Sequence, residues 1–233
     1  MEDRSVAAWP RVLWDACAGA LALLLPVRCA GCGLHAVAVC ADCRAALAPA
    51  VSARDVAGMR VWSGLAFDGA CAGAVRALKE HGRTDLARRL SPSLRDALRA
   101  AAAAAGCPVV PVPVPTSAAA MRRRGYRVPE LVARRAGVRV ARLLVVTRST
   151  SDQRGLGRAE RSRNVSGSMR ARQSAAGLDV VLVDDVVTTG ATLAEARRAL
   201  EAAGARVRGA ATIAATPLRR PATPSSPHAG NSA

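Results

Sequence analysis

Apolar positions along this chain follow two alternating patterns. Residues 61–67, 140–147, 179–187 and 207–215 are short runs rich in Val, Leu, Ile and Ala, with the length and bounds of strands. Between them stand Ala-rich stretches at 70–80, 85–105 and 193–203 that predict helices. His81-Gly82-Arg83 separates the first two, and Gly204 closes the last. Residues 118–136 read as a helix interrupted near Gly125 and Pro129. The run 109–114 is apolar too, but Pro111, Pro113 and Pro115 predict an irregular strand that ends in a loop. Strands alternating with helices predict an α/β fold, with a mostly parallel sheet, flanking helices and ligand loops at the carboxyl ends of the strands. Residues 148–176 have no place in the alternation. They form a long Arg/Gly/Ser excursion, of the kind that in compact domains is functional or mobile.

The two ends differ from this body. Residues 12–27 are mostly apolar, but Asp15 and Pro26 leave the run short of the roughly 20 residues a membrane span needs. A signal peptide is the alternative. The opening Met-Glu-Asp-Arg-Ser carries acids as well as a base, and Asp15 sits inside the apolar stretch, so the expectation is a short amphipathic helix packed on a cytoplasmic protein. The tail is rich in Pro and Ser without apolar periodicity and is expected to be disordered. The predicted organisation is an N-terminal apolar helix (1–28), a four-cysteine module (29–48), an α/β domain (49–216) and a disordered tail (217–233).

Chemistry concentrates where the run 180–183 meets Asp184-Asp185-Val186-Val187-Thr188-Thr189-Gly190-Ala191-Thr192. Two adjacent carboxylates repel each other and are costly to bury, so at the carboxyl end of a central strand they must face a ligand crevice. The turn after them offers backbone N–H groups at a helix N-terminus, hydroxyls, and a glycine that permits close approach, which together suit a phosphate. The acids suit neutral hydroxyl donors such as a ribose cis-diol. A sugar phosphate satisfies both halves. The stretch closely resembles the phosphoribosyl-pyrophosphate (PRPP) motif of type I phosphoribosyltransferases. By that resemblance Asp184 and Asp185 would hold the ribose hydroxyls, and Thr188, Thr189, Gly190, Ala191 and Thr192 the 5-phosphate. Pro115 and Thr116, after the Pro-rich strand, look like the family's pyrophosphate loop, with a plain Pro-rich connector as the other reading. Lys79 could reach a phosphate or be solvated, and Arg148 opens the segment that resembles the hood closing over PRPP. Transfer would displace pyrophosphate with magnesium held largely by the substrate's own oxygens. Thr188 stands where purine-salvage relatives place an aspartate base, which argues against that substrate class.

Charge adds a second theme. There are 34 Lys and Arg against 17 Asp and Glu, a net charge of +17 that points to polyanionic partners. Between Arg122 and Arg172 fifteen arginines face only Glu130, Asp152 and Glu160. Aromatic residues for stacking on bases are few and scattered, so any nucleic-acid contact should be salt-sensitive and sequence-tolerant.

Cys29-x2-Cys32 and Cys40-x2-Cys43, seven residues apart, have the spacing of a closed, structural four-thiolate zinc site, the alternative being disulfides in a secreted protein. Cys17, Cys71 and Cys107 show no ligand spacing and read as buried thiols. A four-cysteine knuckle followed by a PRPP-type domain resembles the ComF family of competence-associated phosphoribosyltransferase-like proteins. Further matching positions, in order, are Leu78-Lys79, Val110-Pro111-Val112-Pro113, Arg124-Gly125-Tyr126, Gln153, Arg161 and Asn164-Val165. Two positions depart from the family pattern: Arg127-Val128 where Asn-Gln is usual, and Met169 where an aromatic is usual. The resemblance implies PRPP binding linked to single-stranded DNA uptake, natural transformation or repair, with competence or recombination proteins as partners. The alternative is a catalytically inactive module that senses PRPP or binds single-stranded DNA.

Overall fold

A computed structural model of the chain describes residues 27–35, 37–147 and 167–217. The expected N-terminal helix up to residue 26, Arg148 with the start of the hood segment, and the tail from residue 218 lie outside the described residues.

The fold is α/β. After a short helix α1 (Ala41–Ala46) come the hairpin strands β1 (Ser52–Val56) and β2 (Met59–Ala66), then helix α2 (Gly69–Glu80), a 3-10 turn at Thr84–Leu86, and helix α3 (Ala87–Ala105). Strand β3 (Val110–Pro113), helices α4 (Ala118–Arg124) and α5 (Val128–Arg135), and strands β4 (Leu144–Val146) and β5 (Met169–Ala171) follow. The chain then enters strand β6 (Asp179–Val187), helix α6 (Ala191–Glu201) and strand β7 (Arg206–Ala215). The main sheet has the order β1-β2-β7-β6-β3. β1 is antiparallel to β2, and β2, β7, β6 and β3 are mutually parallel. The carboxyl ends of four strands therefore open on one edge.

Period-two side-chain alternation explains how one sheet serves two cores. On β6, Val181 and Val183 pack with Leu78, Leu90, Leu94, Val128 and Val132 of the α2–α3–α5 layer. Val180 and Leu182 face the other way, toward Leu193, Ala196 and Leu200 of α6 and Leu144 and Met169 of the β4–β5 ribbon. Residues 180–183 are fully buried, which is why this strand reads as an unbroken apolar run. In the one buried polar pair across the β2–β7 register, the Ser63 and Thr212 hydroxyls lie 2.8 Å apart.

Several elements differ from the sequence expectation, each for a physical reason. The interruption expected near Gly125 and Pro129 is complete and divides 118–136 into two helices. Ser117 caps the first by accepting from the Ala120 N–H, Gly125 ends it in the left-handed region, and Pro129 starts the second. The strand expected over 140–147 shrinks to the three residues of β4, which lie outside the main sheet and pair antiparallel with β5. β5 lies inside the excursion that showed no periodicity. β1 is a second unexpected strand, since an exposed edge strand needs little apolar patterning. Cys71 is buried and its thiol is pushed up to about 12, by burial first and then by Asp68, whereas Cys107 is only half-buried and Cys17 falls outside the described residues.

Helix α3 lies so close to β2 that a Cβ on Gly64 would stand 2.2 Å from the Ser93 carbonyl oxygen. Backbone on both sides cannot give way. Gly64→Ala should lower unfolding free energy by about 2 kcal/mol or more in urea titrations; an unchanged midpoint would show that the two layers slide freely.

Candidate functional site

At the carboxyl edge of the sheet β6 and β7 stay paired past the end of β3, carrying Asp184 and Asp185 beyond the fully buried 180–183 stretch into half-buried positions. Beside β6, β3 continues as Val114, whose N–H donates to the Val183 carbonyl at 2.9 Å, and half-buried Pro115 and Thr116 follow it. From α2, on the β2 side, Lys79 Nζ donates to Asp185 Oδ1 at 2.6 Å. This ion pair is only 28% and 14% exposed on its two side chains. The structure thus brings Lys79 to Asp185, although 106 residues of chain separate them.

The acids differ in their surroundings. Asp185 Oδ1 accepts from Lys79 and, at 2.7 Å, from the Val186 N–H. Asp184 Oδ1 accepts only from the Asp185 N–H at 2.8 Å, and among the described residues no cation pairs with it. Burial, then repulsion from the Asp185 carboxylate, pushes the Asp184 carboxyl up to about 7, while the Lys79 ammonium and the Asp185 N–H pull it down in part. The opposite end of the same strand shows the contrast. There Asp179 accepts from Arg206 at 3.0 and 2.7 Å and from Arg208 at 2.6 Å, which holds its carboxyl well below the usual carboxylate range. A carboxyl raised in this way without a cation partner marks the acid pair as a candidate functional site.

The turn that follows has Thr188 exposed, Thr189 half-buried and Gly190 buried. Gly190 is the N-cap of α6, in the left-handed region and with no side-chain cap, and its carbonyl accepts the first helical bond from Ala194 at 2.8 Å. The N–H groups of the first helical turn, at Ala191, Thr192 and Leu193, therefore lack intrahelical partners, the arrangement that attracts anions. The Ala191 N–H makes a long 3.4 Å contact to the Thr189 hydroxyl. A Cβ on Gly190 would stand 2.3 Å from Val56 Cγ1, so the tip of the β1–β2 hairpin walls this turn. Arg54 on β1 adds to the wall, donating to the Thr216 carbonyl at 2.7 Å and the Val187 carbonyl at 3.4 Å.

The cysteine module forms a separate centre. The Sγ atoms of Cys29, Cys32, Cys40 and Cys43 all lie within 4.8 Å of one another, and those of Cys32 and Cys40 are 3.7 Å apart. Four sulfurs at Zn–S bond length on a tetrahedron stand roughly 3.8 Å apart, so the donor set fits a thiolate-bound metal ion. Cys40 and Cys43 share one face at the start of α1, and Gly31 lets the Cys43 sulfur approach, since a Cβ there would stand 2.5 Å from it. The Cys29 thiol is pushed up by burial, but N–H groups of Cys32, Cys40 and Gly31 outweigh that and bring it down to about 6. Cys43 is held up by burial and by its neighbouring thiols. The four cysteines are positioned to bind a metal ion. His35 instead forms an isolated bridge with Arg28.

The phosphoribosyl transferase domain family matches residues 119–229. Over that stretch, 111 of the 233 residues, the chain is similar to a phosphoribosyltransferase domain. The match includes the acid pair and the turn into α6, while Lys79, Pro115, Thr116 and the cysteines lie upstream of it. No curated protein matches the chain. No helix among the described residues is long and apolar enough to cross a membrane.

Two features around this candidate site carry no decisive signal in the sequence alone. Tyr126 donates its hydroxyl to the Leu78 carbonyl, fixing the helix turn that carries Lys79. Glu195, only 4% exposed, accepts from the Met169 N–H at 2.9 Å and from Arg198 at 2.8 Å twice, pinning β5 onto α6. Arg198 lowers the Glu195 carboxyl more than burial raises it. A Glu-x-x-Arg pair on a predicted helix was the available signal, but nothing in the sequence marked it as buried.

Because the Asp184 carboxyl is lifted from its ordinary 3.8 to about 7, the folded state holds a proton that the unfolded chain releases between those values, and stability falls as pH rises through that window. Asp184→Asn keeps the acceptor for the Asp185 N–H. It should raise the urea midpoint above wild type at pH 8, with the advantage fading toward pH 4; equal midpoints at both pH values would contradict the assigned strain.

Proposed function

We propose that this protein binds PRPP at the carboxyl edge of its sheet, as a ComF-like phosphoribosyltransferase. The observation that carries the reading is the pairing, on one strand–turn–helix, of two adjacent acids with a glycine-capped helix N-terminus. Asp184 and Asp185 would accept from the ribose 2- and 3-hydroxyls. Thr188 to Thr192 would surround the 5-phosphate, and Lys79, Pro115, Thr116 and Arg148 would meet the pyrophosphate.

In such a transfer the bond from the ribose anomeric carbon to the pyrophosphate oxygen breaks, and its electron pair leaves with pyrophosphate. The acceptor's lone pair forms the new bond. The chain's contribution is to hold the sugar by its hydroxyls and 5-phosphate while the ring gains oxocarbenium character. Magnesium bound with PRPP would neutralise the departing charge. Outside the cysteines no group of three or more ligating side chains gathers among the described residues, so the ion's ligands would come mainly from the substrate. In the cysteine module the ion we propose is zinc, closed off by Cys29, Cys32, Cys40 and Cys43 and structural in role.

A second reading has its own observation. Arg122, Arg123, Arg134, Arg135, Arg139 and Arg142 are exposed on α4, α5 and the segment after them, beside a groove of about 780 Å3. This cationic face supports a module that senses PRPP or carries single-stranded DNA, without turnover, for competence or recombination partners in the cytoplasm.

Calorimetry should detect PRPP binding with magnesium in the wild type and a loss of at least tenfold in affinity in Asp184→Ala and Asp185→Ala; wild-type affinity in both variants would overturn the assignment. Pyrophosphate release on adding nucleobases or amines favours the enzyme, and tight binding without release favours the module. Metal analysis should find one zinc per chain, and removing it with a chelator should lower the thermal midpoint. A metal-free chain with disulfide-bonded cysteines would reject the knuckle.

A further inference from the structure

The cysteine module and the acid pair lie on different parts of the molecule, and helix α2 spans the distance between them. Against the middle of α2 the knuckle backbone lies in direct contact: a Cβ on Gly73 would stand 2.3 Å from the Ala30 carbonyl oxygen and 3.0 Å from that of Gly31. Just past the end of α2, Arg83 grips the same module. Its guanidinium donates to the Arg28 carbonyl at 3.4 Å and the Ala38 carbonyl at 3.5 Å. Asp85 holds it in that pose, accepting at 3.0 and 2.8 Å. Between these two attachments the helix delivers Lys79 to Asp185.

We infer that the metal-loaded cysteine knuckle, together with the Tyr126 bond to the Leu78 carbonyl, positions Lys79, with Gly73 and Arg83 as its contacts and the acid pair as its output. The inference rests on the PRPP reading only for the ligand it would affect. The four sulfurs can share one tetrahedral ion, and the Ala30 and Gly31 backbone that meets α2, with the Arg28 carbonyl that meets Arg83, belongs to the loop around Cys29 and Cys32. Losing the ion releases that loop. A helix is stiff along its length, and from Gly73 to Lys79 it rises about 9 Å, so a tilt of about 10° moves the far end by about 1.5 Å. That is enough to break a 2.6 Å ion pair. Lys79 would then leave Asp185, and both carboxylates would face the crevice without a cation.

The chain supplies its own probe, because Lys79 is its only lysine. The full chain is pulsed with an N-hydroxysuccinimide ester of acetate, and acetylation of Lys79 is followed by peptide mass spectrometry. Labelling should be slow in the metal-loaded protein and about tenfold faster after chelation. In Arg83→Ala, with its metal content confirmed as unchanged, it should be several-fold faster. In Asp185→Asn it should be fast with or without metal. Equal labelling rates in wild-type and metal-retaining Arg83→Ala protein would overturn the coupling, even if the chelated chain unfolds. PRPP affinity is measured separately on the same proteins and should fall in Arg83→Ala by about the same factor. A labelling shift with no PRPP binding in any form would uphold the coupling and overturn the ligand.

Discussion

Asp184 and Asp185 follow one another at the end of a fully buried strand, and the repulsion between them is the constraint that the surrounding structure accommodates. Lys79 sits on one carboxylate, the Asp185 N–H meets the other, and the Asp184 carboxyl is still lifted to about 7. A polar pair of this kind weakens the fold where it stands. It stands at the carboxyl edge of a parallel sheet, where the backbone leaves the core and where ligands of such sheets generally bind.

The rest of the molecule can be understood as support for that edge. Two apolar layers clamp β6 from opposite faces, so its end is held rigidly although it lies near solvent. Val56, from a hairpin at the far edge of the sheet, fixes the turn through Gly190. Glu195 joins the last strand of the polar excursion to the helix whose first turn faces the crevice. Tyr126 ties the α4–α5 junction to the turn of α2 that bears Lys79. Each is a contact between residues far apart in sequence, and each bears on a group at the edge. An edge preorganised in this way loses less freedom when a ligand orders it.

The cysteine centre and the crevice are physically continuous through α2. Small residues make this possible: Gly31 and Gly73 remove the Cβ atoms that would separate knuckle from helix. A closed thiolate site has no open position for chemistry, and its contribution to a binding protein lies in what it holds still.

Much of this was legible in the sequence. The run 180–183, buried on both faces, reads as a central strand because its apolar character is unbroken. The CxxC pairs determined a four-sulfur cluster because each short loop aims two thiols at one point. Gly125 and Pro129 announced a break that became two helices. The sequence could not show which distant residues complete the site. Whether Lys79 was solvated or paired, whether Glu195 was exposed or buried, and whether 52–56 and 169–171 were loops or strands depended on packing between segments up to 162 residues apart. Local patterns record the burial period of one element at a time; the partners of a charged side chain are decided only when the sheet has closed and its edge has brought them together.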